Sequence, residues 1–386
     1  MIIDTLNELF TLMTIAGAWR PLDQLSVKYR IYTVTRFVLL PLPFIIITGM
    51  ILGLILNNSD KDEMYTTLLL MLTVENNTIR AVGLWMNRKH LVQLLGMLAS
   101  PYAQPRGKSE IEIEKSYSEF LRKFLNLIYV WVGGTWLIWV SPPFFQKKDH
   151  RNLPLTVWLP HEGPIPDRIF WWLWIPDAAS FLISIILIIG HDISIATVMS
   201  FVSCQFDLLA HRVRCMTMEA KRRAHRSSRS IEACEKEVIV ENVNHHRYIL
   251  EFADLLSKGY GCSMIFQFSN CFIQLTANTY LLASTTTIDV QLLMRLIFLS
   301  CMFLQSSIYC YFGDHLTNKS RELTYALFTA NWMDLCLRSK KDILFMTART
   351  MYPVYIGKAF FIVLSLNSFV QILRISYGVF NVLRQT

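Results

Sequence analysis

This chain is short of charge. Of its 386 residues only 17% are Asp, Glu, Lys or Arg, against about a quarter in an ordinary soluble domain. No Cys-x-x-Cys pair occurs, which removes the commonest zinc and thiol-redox motifs. No cluster of metal-ligating residues and no nucleophile–base motif stands out, so neither an enzyme nor a cofactor is expected. A cleavable leader is also missing. Residues 1–36 hold scattered Arg20, Lys28, Arg30 and Arg36, with no short apolar core before a small-residue cleavage site. The first span is therefore expected to act as the insertion signal.

What is present is apolar sequence in blocks. The composition is 53% hydrophobic and 13% aromatic, with a mean hydropathy of +0.35. Apolar runs lie at Phe37–Leu56, Met64–Leu84, Phe124–Val140, Trp172–Thr197, Met264–Ala283, Leu292–Tyr311 and Ala359–Leu383. Most reach the ~20 residues a helix needs to cross a hydrocarbon layer. The expected fold class is an all-α membrane protein with seven transmembrane helices, and lipid is its first partner.

The formal net charge of +8 does not point to nucleic acid, because no zinc-finger spacing or RNA-binding aromatic motif accompanies the basic residues. They fall instead in segments 1–36, 85–123, 198–263 and 312–358, including Lys221, Arg222, Arg223, Arg226 and Arg229. The short segment 57–63 holds only Lys61 against Asp60, Asp62 and Glu63, and 284–291 holds no Lys or Arg. By the positive-inside rule the N-terminus is expected in the cytoplasm and the C-terminus outside. The eight cysteines then all fall in helices or cytoplasmic segments, and no external disulfide is expected.

The expected organisation is a cytoplasmic segment 1–36, membrane helices one to six over 37–311, a cytoplasmic segment 312–358 and a last helix over 359–386. Residues 198–263 should continue the fourth span, break near the basic, Ser-containing stretch 221–230, and resume toward the fifth. Residues 319–350 read as one amphipathic helix with Leu323, Leu327, Trp332, Leu335, Leu344 and Phe345 on its apolar face. Together these predict a packed helical anchor region below the membrane.

The last helix carries a polar stripe. Asn367, Gln371, Arg374, Gly378, Asn381 and Gln385 recur at alternating spacings of four and three among Ile, Leu, Val and Phe. Polar groups are costly against lipid, so the stripe should face a water path or a packed polar interface. Glu75 and the His191-Asp192 pair are the intramembrane ionisable groups that stand out. Asn57-Asn58-Ser59 is a glycosylation sequon close to the membrane, whereas those beginning at Asn76 and Asn318 fall in a span and in the cytoplasm.

Several of these residues carry a family resemblance. Tyr309-Cys310 with Gly313, Ser320, Ala326, Trp332, Met346, Arg349, Pro353, Gly357, Phe369 and Ser376-Tyr377 resembles insect odorant receptors of the ligand-specific, tuning class. Gln205 with Leu208 and Leu209, and His246 with the Ile249–Leu256 helix, match the same family. Gly378 and Lys358 depart from its pattern, standing where a serine and a small residue are usual.

The resemblance implies a subunit of a ligand-gated, non-selective cation channel in the plasma membrane of sensory neurons. It implies a heterotetramer with an odorant co-receptor subunit, assembled through the anchor region with Trp332 in the contact. It further implies a pore lined by the last helix, with Val382 at the gate and Asn381, Gln385, Gly378 and Gln371 beside the path. A small volatile ligand would sit among the second, third, fourth and sixth helices, where Met71, Glu75, Gly134, Ile138, Trp139, Leu187, His191, Met302 and Gln305 lie at suitable depth.

A gustatory receptor has the same architecture and stays open at this point. A G-protein-coupled receptor would need the opposite orientation and an Asn-Pro pair in the last helix, which is missing. A secondary transporter would show broken helices in matching halves.

Overall fold

The computed structural model describes residues 2–21, 27–39, 41–56, 61–145, 153, 166–284, 290–356 and 364–385. These form α1 Ile2–Ile15, α2 Val27–Leu39, α3 Pro41–Leu56, α4 Lys61–Met86, α5 Arg88–Met97, α6 Lys108–Val140, α7 Pro142–Phe145, α8 Asp167–Arg214, α9 Met216–Ser227, α10 Ile231–Ser284, α11 Val290–Thr329, α12 Leu337–Thr350 and α13 Leu366–Gln385, with a 3-10 turn at Trp332–Asp334. Five of the expected spans fall within α4, α6, α8, α10 and α11, the first falls partly in α3, and the described part of the last falls mostly in α13. The first is shorter than expected, because Phe37 belongs to α2 and a new helix starts at Pro41. A proline fits that position, where its missing N–H has no helical partner to lose.

By length and composition alone, helices Lys108–Val140, Ile169–Arg214 and Leu292–Thr329 are apolar enough to cross a membrane. The others are shorter or carry more polar residues. Exposed Ile45, Ile55, Leu127, Val130, Leu137, Trp172 and Ile175 form the apolar outer surface of the bundle. In water such a surface would be a liability; against acyl chains it is the natural exterior.

α8, α10 and α11 contain 48, 54 and 40 residues. At ~1.5 Å per residue they span roughly 60–80 Å, at least twice the ~30 Å hydrocarbon thickness. Their extensions pack with α5, α9 and α12. From His191 to Ser203 every residue of α8 is buried, including Ile195, Val198 and Met199 at 1% exposure or less. A helix covered on all faces needs its polar side chains satisfied locally. Ser194 Oγ donates to the His191 carbonyl (2.7 Å) and Ser203 Oγ to that of Met199 (3.0 Å).

The break between the fourth and fifth long helices lies where expected. Ser228 ends α9 with φ 50°, a left-handed cap, and α10 resumes at Ile231. The amphipathic helix expected over 319–350 is two helices. α11 runs on to Thr329, the 3-10 turn follows, and α12 starts at Leu337. The apolar positions continue on both sides of the break, so periodicity alone does not reveal it. The N-terminal segment also holds more than a tail. Leu6, Leu9, Phe10 and Met13 repeat at helical spacing and are buried, against α8 among others. α1 closes in a Schellman cap, with Gly17 N–H on the Thr14 carbonyl (3.0 Å) and Ala18 N–H on that of Met13 (2.9 Å).

The anchor is locked by a buried polar cluster. Arg212 on α8 grips Glu110 with Nε (3.0 Å) and Nη2 (2.7 Å), and donates to the carbonyls of Tyr102 (3.2 Å) and Gln104 (2.9 Å). His245 on α10 contacts Arg212 through Nδ1 (3.2 Å) and Gln205 Oε1 through Nε2 (2.9 Å). Burial alone would raise the Glu110 carboxyl, but hydrogen bonds from Arg212 and the Arg106 N–H hold it below the usual range. Burial, with Arg212 alongside, pushes His245 well down. The neutral ring therefore accepts at Nδ1 and donates at Nε2. Gln205 completes the cluster by donating to the Ala103 carbonyl (3.1 Å).

Candidate ligand-binding site

A cavity of about 140 Å³ opens between α4, α6, α8 and α11. Its walls are mostly apolar, with Trp131 and Trp139 from α6, Phe181 and Ile188 from α8, and Phe298 and Met302 from α11. The hydroxyls that reach it are already engaged. Thr73 Oγ1 donates to the Leu69 carbonyl (3.0 Å) and Thr135 Oγ1 to that of Val132 (2.8 Å). Such a site suits an apolar molecule of modest size with few polar groups.

Asp192 and Gln305 also line the cavity, and behind them lies a buried ionic network. Arg80 on α4 is 1% exposed and its Nη1 sits 2.9 Å from Asp192 Oδ1, an ionic contact off the hydrogen-bond axis. Asp192 also accepts from the Tyr309 hydroxyl and the Gln305 amide, both on α11. On the far side Arg80 donates to Gln267 Oε1 on α10, which also accepts from Asn76 (2.6 Å). His191 adds a contact from Nε2 to Ser263 Oγ (3.1 Å). Charges at this depth persist when paired and hydrogen-bonded. One carboxylate and one guanidinium thus tie α4, α8, α10 and α11 together beside the cavity.

α11 also contacts the last helix. A Cβ on Gly313 would sit 2.5 Å from Leu364 Cβ and 2.7 Å from the Leu364 carbonyl oxygen, so only glycine permits this approach. Ser320 Oγ accepts from the Val354 N–H (3.1 Å), and the rings of Phe303 and Phe369 meet edge-on at 6.3 Å. Ser376 and Phe380 are buried, while Asn367, Gln371, Arg374 and Gly378 are exposed and Asn381 is half-buried.

The 7tm odorant receptor family model matches residues 61–377. The chain belongs to that family. Odorant receptor 46a, isoform A, of Drosophila melanogaster is 25% identical over 343 residues, spanning 88% of this chain and 85% of its own. Odorant receptor 23a of the same species is 20% identical over 370 residues, spanning 95% and 94%. The olfactory receptor OR5 of Machilis hrabei superposes with a TM-score of 0.85 at 16% identity, covering 98% of this chain and 97% of that one. Its complex with eugenol gives 0.83. The likeness shows the seven-helix membrane fold.

Within this odorant-receptor fold the expected site residues are distributed unevenly. Trp139, Met302 and Gln305 line the cavity together. Met71 packs with Trp139 and Phe181 in a small neighbouring cluster. Gly134 is half-buried on α6, whereas Ile138 and Glu75 are exposed. Leu187 lines a different cavity, and His191 belongs to the ionic network. Trp332 is half-buried and packs against the core of its own subunit. Val382 and Gln385 lie on the α13 backbone, but their side chains are outside the described residues, as is Asn57. Sequence reasoning missed Arg80. Its signal was a lone cation inside an apolar run, which at that depth requires an anion.

Proposed function

We propose that this odorant receptor is the ligand-specific subunit of an odorant-gated, non-selective cation channel, working with a co-receptor subunit in the plasma membrane of sensory neurons. The observation that carries the reading is the exposed polar edge of α13. A membrane helix whose Asn367, Gln371 and Arg374 are uncovered in one subunit needs water or another subunit against them. Four subunits arranged around an axis supply both. Val382 is the proposed apolar gate, closing by dewetting, with Gly378, Asn381 and Gln385 beside the path.

The ligand is a small volatile of the general kind that eugenol represents in the Machilis receptor. It enters the cavity among Trp139, Met302 and Gln305. Contact with Gln305 acts on α11, which holds Asp192 through Tyr309, meets α13 where Phe303 touches Phe369, and meets the residue leading into α13, Leu364, at Gly313. Tightening the cavity therefore moves the helix that abuts the pore. The four-subunit assembly joins through the anchor, where Tyr325, Phe328, Leu344 and Phe345 lie exposed.

The test is electrical. Cells expressing the chain with an odorant co-receptor should pass current when perfused with a panel of small benzenoids and terpenoids. Cells expressing the co-receptor alone should not respond to the same compounds. Equal responses in both sets at verified surface expression would remove the ligand-specific role.

A further inference from the structure

We propose that a second small-molecule site, built for an alcohol or phenol, lies between α2, α3, α4 and α8. A cavity of about 160 Å³ is present there and has no lining residue in common with the first. Its volume matches that of engineered apolar cavities that take up one benzene ring, about 150 Å³. The walls are chiefly Phe44, Trp85, Ile183 and Leu187. Gly17 makes the cavity's edge possible. Its φ of 77° turns the chain after α1, and a Cβ there would meet the Arg36 backbone at 3.1 Å.

The decisive residue is Asn77. It lines this cavity, is 2% exposed, and neither its amide nitrogen nor its amide oxygen has a hydrogen-bond partner. Its neighbours on α4, Asn76 and Arg80, both bond Gln267 and leave Asn77 out of that network. A buried amide with donor and acceptor both unmet is costly, and an amide needs a partner that can accept and donate at once. A hydroxyl does both. A carboxylate only accepts and leaves the Asn77 oxygen unmet; a hydrocarbon offers nothing. The aromatic walls suit a ring on the carbon side of that hydroxyl. Arg36 borders the site, held by its bond to the Tyr32 hydroxyl (2.6 Å) with its guanidinium 5.3 Å from the Trp85 ring.

Position suggests what occupancy does. Leu187 precedes Asp192 on α8 by little more than one turn, and Asn77 precedes Arg80 on α4 by about one turn. A ligand held between them bears on both helices that carry the buried ion pair. It would shift the response to a molecule in the first cavity, and the coupling would act equally in both directions.

Photolabelling of the purified full chain in lipid nanodiscs tests this, using a trifluoromethyl-diazirine derivative of benzyl alcohol. Adducts are expected on Phe44, Trp85 or Tyr32, suppressed by excess benzyl alcohol and unaffected by equal toluene. Asn77→Leu should weaken this labelling about 30-fold, as for the loss of two ordinary hydrogen bonds. Ala81→Phe, which fills the space, should abolish it. Labelling at Trp139 and Met302 should persist in both variants, which shows that they fold. Absence of saturable labelling in α2–α4 of the wild type, or equal competition by toluene, would overturn the proposal and leave water or acyl chains as the occupant. The wild-type competition decides the matter even if a variant misfolds.

Discussion

Removing Arg80 alone should do more harm than removing its whole ion pair. Arg80 and Asp192 are 1% and 5% exposed at the side chain, so Arg80→Met leaves a carboxylate deep in the bundle without its guanidinium. Breaking one partner of a buried pair typically costs about 3–5 kcal/mol, whereas replacing both by apolar residues is often close to neutral. An unfolding entropy of ~2.1 cal/mol/K per residue over 386 residues amounts to roughly 0.8 kcal/mol per kelvin. The single substitution should therefore lower Tm by about 4–6 °C if the chain unfolds as one unit. Arg80→Met combined with Asp192→Leu should be less harmful than Arg80→Met alone, because the stranded charge is gone. Full recovery is not expected, since Gln305 and Tyr309 lose their acceptor. The assay is thermal unfolding of detergent-solubilised protein followed by size-exclusion fluorescence. A double variant as unstable as the sum of its singles would refute the reasoning, as would a silent Arg80→Met.

Three further outcomes follow from the same structure. Leu344→Asp with Phe345→Asp should reduce recovery of the co-receptor in pull-downs while leaving expression intact, because both side chains are exposed in one subunit. Trp332→Ala, whose ring packs inward, should lower expression as well. Acid should loosen the anchor. Burial, with Arg349 nearby, brings His246 down from its ordinary 6.5 to about 4, so its contribution is complete above pH 6.5 and is lost as pH falls toward 4. That gap corresponds to about 3 kcal/mol at ~1.4 kcal/mol per pH unit, and His246→Phe should make the stability profile less steep across that window, the remainder coming from His245. In the pore, Val382→Ser with the co-receptor present should raise resting current and Asn381→Leu should lower conductance; unchanged permeation in both, at normal surface expression, would take α13 out of the path.

The membrane helices were legible because a bilayer imposes its thickness on each apolar run. The anchor's first break was legible too, at the basic stretch ending near Ser228. The second was not: Leu323 and Leu327 before it and Ile343 and Met346 after it are buried alike, so the apolar pattern hides the turn at Trp332–Asp334. Part of the cavity lining was readable, since Trp139, Met302 and Gln305 combine apolar bulk with one amide at the right depth. Glu75 and Asp192 show the limit. Both are acids within apolar runs, yet Asp192 is buried against Arg80 and Glu75 is exposed. Only the packing of α4 against its neighbours separates them, and a single sequence does not state which side of a helix meets another.

A ligand in the cavity between α4, α6, α8 and α11 is proposed to open the channel. The most direct measurement is a concentration–response curve for an activating volatile, recorded with the co-receptor, in the wild type and in Ile188→Trp. Ile188 lines the cavity on α8 one turn before Asp192, and the added ring occupies the space a ligand would use. Loss of the evoked current is expected in Ile188→Trp at equal surface expression, with resting current unchanged. A wild-type concentration–response curve from that variant would contradict it.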